Sequence, residues 1–123
     1  IVSNTTLARV GLRSASLAGE AGGLSGKPLF ERSTAVLARM RKLLGSQVTI
    51  VGVGGVDSAE TALEKIRAGA DLVQLYTGMI YAGPALPGRI VAGMARFVER
   101  ERLGSIQDLR DSACERWASK PIS

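Results

Sequence analysis

Four small hydrogen-bonding side chains, Ser3, Asn4, Thr5 and Thr6, follow Ile1 and Val2 directly. Ile1 and Val2 read as the end of a buried strand, and the C-terminal end of a parallel strand is where α/β proteins bind their ligands. An Asn carboxamide offers a donor beside an acceptor, which matches the edge of an amide or a pyrimidine ring, and neighbouring hydroxyls can reach a carboxylate. Taken alone, the cluster serves equally well as a helix cap or an ST-turn.

Two glycine clusters carry a second chemistry. "GGLSG" spans Gly22 to Gly26 and "GVGG" spans Gly52 to Gly55, each at a loop position after a strand. Glycine lets a main chain approach an anion closely, and the N–H groups it exposes form a nest for phosphate. One such pair would simply turn the chain. Two clusters on one rim, with a further turn at Tyr76-Thr77, favour phosphate binding. Tyr76 is expected to pack its ring while its N–H faces the ligand. Lys27, in a loop, could act as a mobile cation, whereas Lys65 reads as a solvated helix position. Cys114 reads as a small buried residue without a partner base, and Trp117 as packing.

Composition excludes several alternatives. The 123 residues contain no histidine and a single cysteine. An internal disulfide, a cysteine-built zinc site and a Ser-His-Asp triad within this chain are thereby ruled out. Net charge is +5, with Arg39, Arg41, Lys42, Arg96, Arg100 and Arg102 placed on helix-like segments. That pattern describes a solvated face rather than a phosphate-seeking one. Aromatic residues make up 4% of the chain, too few for the stacking platforms that grip single-stranded nucleic acid. No apolar run approaches the roughly 18–20 residues of a membrane span, and no signal peptide is visible.

The elements that must position these groups are legible in outline. A Gly/Ser/Ala-rich loop runs from about Leu7 to Lys27. Val36, Leu37, Met40, Leu43 and Leu44 then form a helical stripe, stopped by Gly45. "QVTIVGVGG" reads as a strand buried on both faces. Asp57 and Glu60 are placed to form a capping box for a helix that buries Ala59, Ala62, Leu63 and Ile66 and stops at Gly69. "DLVQLYT" is a further strand, and "GMIYAGPALPG" a turn-rich piece with room for one helical turn. Pro87 opens a helix striped by Ile90, Val91, Met94, Phe97 and Val98. The last segment starts at Ser105, with Asp108 three residues on, and carries Ile106, Leu109, Ala113 and Trp117.

This alternation predicts parallel strands joined by right-handed crossovers, hence an α/β fold. Three strands alone would leave raw sheet edges. The expected architecture is therefore the C-terminal three βα units of a (β/α)8 TIM barrel, a fold of about 250 residues, plus a C-terminal helix. Residues 1–104 would belong to the barrel and 105–123 to a helix and tail packed on it. The remaining units would lie in an absent segment or a separate chain.

"SNTT", "GGLSGKPL" and "GVGGVDSAETALEKIRAGADLVQLYTGMIYAGP" together resemble the dihydroorotate dehydrogenases, most closely the class 2, quinone-dependent branch. The likeness runs from residue 1 to about Pro84. It implies a flavoprotein holding FMN at the C-terminal rim of the barrel and oxidising dihydroorotate to orotate in pyrimidine biosynthesis, with reoxidation by quinone. Carried over position by position, Ser3, Ser25, Gly26, Gly54, Gly55, Tyr76 and Thr77 would contact FMN, and Asn4 and Thr5 the dihydroorotate. The family's class 2 base is a serine on an earlier loop, and a flavin-contacting lysine comes from an earlier strand. Neither position falls within these residues, so no catalytic residue is expected here. The implied location is peripheral on a membrane, the bacterial cytoplasmic membrane ahead of the mitochondrial inner membrane, with attachment through the missing N-terminal part. Two other readings stay open at this point: a different FMN- or phosphate-binding TIM-barrel oxidoreductase or isomerase, and a non-enzymatic half-barrel used as a binding module.

Overall fold

The computed structural model describes residues 1–3 and 25–122. Asn4, Thr5 and the expected loop as far as residue 24 lie outside the described residues. Two short β-branched runs form β1 (Val51–Val53) and β2 (Leu72–Gln74), paired in parallel with Val51 opposite Leu72 and Val53 opposite Gln74. Val2 joins the other edge of β1 through a parallel bridge to Gly52, held by Val2 N–H to Val51 O and Val53 N–H to Val2 O, each 2.8 Å. Parallel segments thus lie side by side in chain order with helices between them, the α/β alternation that the sequence predicts.

The first helix, α1 (Phe30–Leu44), follows a 3-10 turn over Lys27–Leu29 and ends at Gly45 with φ 79°. Its buried face keeps only Leu37 of the expected apolar stripe, with Val36 and Met40 half-buried. Ser33, Thr34, Leu37, Ala38 and Arg41 turn inward, while Leu43 and Leu44 are exposed. The reason is that Arg41 finds acceptors inside, at the carbonyls of Gly69, Gly45 and Val48, which rotates the helix away from its leucine-rich end.

The next helix, α2 (Ala59–Ala68), buries Ala62, Leu63 and Ile66 as expected. Its capping box is formed by Ser58 and Thr61 rather than by Asp57 and Glu60, because the helix starts one residue later than the spacing suggested. Two helices follow β2: the short α3 (Thr77–Ala82) and α4 (Leu86–Arg100), with Pro87 in its first turn. Ile90 is buried against Val56, Ala62 and Leu86, but Val91 is exposed. The Ser105–Asp108 box closes a 3-10 turn over Ile106–Leu109. A left-handed Asp111 then breaks the segment before α5 (Cys114–Ala118).

The main core joins Leu37, Ile50, Ile66, Cys114 and Trp117, with the Phe30 ring set edge-on to Trp117 at 5.9 Å. Burial pushes the Cys114 thiol up, away from the reactive thiolate. Leu72, Ile80, Tyr81 and Val91 present a large apolar exposure along β2, α3 and α4. Among the described residues no helix is long and apolar enough to cross a membrane.

Asp71 ties these layers together at the entry to β2. Its carboxylate accepts from Ile50 N–H at 2.9 Å, Arg41 Nη2 at 2.6 Å and Arg110 Nη1 at 2.6 Å. Burial by itself would raise the Asp71 carboxyl, but the Ile50 amide and the two guanidinium groups outweigh it and hold it below its usual value. A carboxylate with a lowered native pKa contributes stability that is complete above about pH 4 and is lost as pH falls through the native value. Replacing Asp71 by Ala leaves Arg41 buried without its main counter-charge. We expect a loss of about 3 kcal/mol in urea unfolding of the full-length protein at pH 7. We also expect the variant to have a flatter stability profile below pH 4, and a wild-type-like acid limb would refute this account.

Candidate functional site

Each parallel segment ends on the same side of the sheet, and the turns beyond those ends enclose a cleft of about 510 Å³. That size falls in the range of small-molecule sites. Ser3 closes it beyond the first segment, Gly54 and Gly55 beyond β1, and Tyr76 and Thr77 beyond β2. Ser25 and Gly26, just before α1, complete the wall. Every position at which the resemblance implies a cofactor contact therefore lines one cleft. Leu29, Val56 and Gln74 also line it, outside the motifs that mark the other wall residues. A polar Gln74 beside the end of a strand was the available signal.

Local chemistry explains why these turns meet. The Ser25 and Thr77 hydroxyls are hydrogen bonded at 2.8 Å, which links the approach to α1 with the start of α3. Gly26 has φ 81°, and a Cβ there would come within 2.7 Å of Thr77 Cγ2. Gly55 has φ 74°, and its missing Cβ would run into the Phe30 side chain and lie 2.6 Å from Phe30 Cα. Only glycine fits at either place, so the turn after β1 rests directly on the first turn of α1. Among the described residues, the N–H groups of Gly26, Gly55, Tyr76 and Thr77 have no main-chain acceptor. Several main-chain donors thus border one concave surface, the chemistry of an anion nest.

Two expectations about side chains are corrected by the structure. The Tyr76 ring is 75% exposed rather than packed. Lys65 is not solvated but fully buried, with Nζ 2.6 Å from Ser33 Oγ and 2.8 Å from Thr34 Oγ1, and 4.9 Å from the Phe30 ring centroid. Burial lowers its pKa to about 7. The sequence did hold a signal: Lys65 lies three residues from both Ala62 and Ala68, within the apolar stripe of α2. A lone lysine in such a stripe is easily read as snorkelling outward.

Comparison with known proteins bears on this geometry. The family model for dihydroorotate dehydrogenase matches residues 1–98. A dihydroorotate dehydrogenase (quinone) of Mesorhizobium japonicum is 79% identical over the whole of this chain, and one of Sinorhizobium fredii is 66% identical over 99% of it. The chain spans 34% of the length of each. Among solved structures, that of the Eimeria tenella enzyme with ferulenol superposes with a TM-score of 0.83 at 38% identity, covering 90% of this chain and 30% of that one. The ligand-free form of that enzyme gives a TM-score of 0.84 at 34% identity, covering 98% of this chain and 32% of the other. A likeness of this strength, over a chain whose strand-end turns already converge on one cleft, places it in the dihydroorotate dehydrogenase family.

Proposed function

We propose that this chain is the C-terminal, FMN- and substrate-binding part of a quinone-dependent dihydroorotate dehydrogenase. In this reading its parallel segments are the last three βα units of a (β/α)8 barrel, with 1–104 in the barrel and 105–123 packed upon it. The observation that carries the reading is the convergence of Gly26, Gly55, Tyr76 and Thr77 on one cleft, with N–H groups that have no main-chain acceptor among the described residues. The exposed apolar strip along β2, α3 and α4 also suits a sheet that continues into further strands.

The residues fit FMN. A phosphate needs several N–H donors and no side chain in its way, and glycine at 26 and 55 meets both needs. Ser25 and Thr77, already bonded to one another, set the hydroxyls at the same rim. Gly54 shapes the turn from beneath, and Ser3 borders the cleft from the neighbouring segment. Asn4 and Thr5 would follow Ser3 to hydrogen-bond the dihydroorotate ring and carboxylate. When bound, FMN supplies the hydride acceptor for oxidation of dihydroorotate to orotate, and a quinone carries the electrons onward. The proton-abstracting base and the attachment to a membrane are assigned to the part of the protein outside this chain. The rhizobial relatives favour a bacterial cytoplasmic membrane.

The full-length protein should be yellow, and dihydroorotate should bleach it in the absence of oxygen. A correctly folded protein that takes up no flavin overturns the proposal. Gly26→Val adds a side chain where Thr77 stands and strains the backbone, so FMN affinity should fall by at least about tenfold. Asn4→Ala should lower kcat/KM for dihydroorotate about 10–100-fold while FMN stays bound, the loss expected for a hydrogen bond to a polar or charged partner. Unchanged turnover in that variant would remove Asn4 from the substrate site.

A further inference from the structure

Lys65 is a buried amine with no counter-charge among the described residues. Among the described residues it forms no ion pair, and its partners are two hydroxyls and an aromatic face. The charged groups of the elements around it are engaged elsewhere or turned to solvent: Arg39 of α1 donates to the Ala118 and Lys120 carbonyls, and Glu31 of α1 and Glu60 of α2 are exposed. Arg41 of α1 is held by Asp71, and Glu64 of α2 pairs with Arg67 and with Arg116 of α5. Glu115 of α5 pairs with Lys42, and Asp108 caps its own turn. In α4, Arg89 donates to the Ala82 carbonyl, Arg100 pairs with Glu101, and Arg96 and Glu99 are exposed. β1 and β2 contain no titratable side chain.

What the ammonium does touch leads to the cleft. Ser33 Oγ, which accepts from Lys65, lies 3.1 Å from the Gly54 carbonyl and 3.1 Å from the Phe30 carbonyl. Thr34 Oγ1, the second acceptor, donates to the Phe30 carbonyl at 2.6 Å. Gly54 is part of the cleft wall, and Phe30 is the residue on which Gly55 rests. The cation is therefore one hydroxyl away from the turn that presents the Gly55 N–H.

We propose that Lys65 is a positioning residue for the anion cradle, fixing the Gly54–Gly55 turn through Ser33 and making the cleft prefer a phosphorylated ligand to its neutral counterpart. The proposal rests on the reading of the cleft as an FMN site. A buried ammonium held only by neutral groups is costly, and an anion bound at the neighbouring turn relieves that cost. Linkage makes the effect mutual: the anion favours protonated Lys65, and protonated Lys65 strengthens anion binding. Because burial brings the free site to a pKa of about 7, the coupling is felt at neutral pH.

The test compares FMN with riboflavin, which lacks the phosphate, on the full-length apoprotein. Lys65→Met keeps the packing stem and removes the charge. FMN affinity should fall about tenfold, with riboflavin affinity changed by less than about twofold. The ratio of wild-type to variant FMN affinity should shrink from pH 6 to pH 9, as Lys65 gives up its proton. Equal losses for both ligands, an unchanged FMN affinity or a pH-independent ratio would each overturn the role. Calorimetry on the wild type in buffers of different ionisation enthalpy needs no variant to fold. At pH 8, FMN binding should take up about 0.4 proton, the amount a tenfold coupling gives, and riboflavin binding should take up none; the absence of uptake refutes the coupling. A wild type that binds neither flavin at any pH defeats the assignment of the cleft itself, an outcome distinct from a failure confined to Lys65.

Discussion

Everything at the rim depends on the register of β1 against β2, and that register is set at the opposite end of the strands. The Ile50 carbonyl accepts from Asp71 N–H at 2.8 Å, while the Asp71 carboxylate accepts from Ile50 N–H. The two strands are thus locked at their entry before the first ladder pair, Val51 with Leu72, is formed. A slip of one residue would turn each side chain to the other face and carry the following turns out of line. Arg41 and Arg110 secure the same carboxylate from α1 and from the segment before α5. The lower end is therefore built of charge and hydrogen bonds, and the upper end is left to small residues that make room.

Division of labour along the strands explains how a site can be assembled from so little side-chain chemistry. At the cleft, the main chain supplies the donors, and glycine lets two loops press on their neighbours. The core behind it is made from Leu37, Ile50, Ile66 and Trp117, together with the hydroxyl faces of Ser33 and Thr34. Those hydroxyls are small enough to let α1 approach α2, and polar enough to accept from a buried amine.

Much of this organisation was legible in the residues themselves. The βα alternation, the helix stops at Gly45 and Gly69, Pro87 at the head of α4 and the Ser105–Asp108 box all follow from local chemistry, and local chemistry survives folding. The glycine turns could be assigned to one rim because parallel strands place successive C-terminal ends together. Arg41 and Lys65 were not legible. A cation on an amphipathic helix reads as solvated unless its acceptors are known, and those acceptors are far away in sequence: Asp71 and the Gly69 carbonyl for Arg41, Ser33 and Thr34 for Lys65. The inward turn of Arg41 is also what misplaced the expected face of α1. The exposure of the Tyr76 ring is illegible for a related reason, since its surroundings are set by tertiary neighbours and not by its own segment.

The lone tryptophan of this chain has an optical consequence. Trp117 donates from its indole nitrogen to Glu64 Oε2 at 2.9 Å, stands edge-on to Phe30 and carries the Lys120 ammonium 4.3 Å from a ring centroid. Phe30 is also the residue beneath Gly55 and beside Lys65. The indole is thus joined to the back wall of the cleft through a single aromatic neighbour, so that a change in how that wall is set is expected to move the colour and lifetime of its emission.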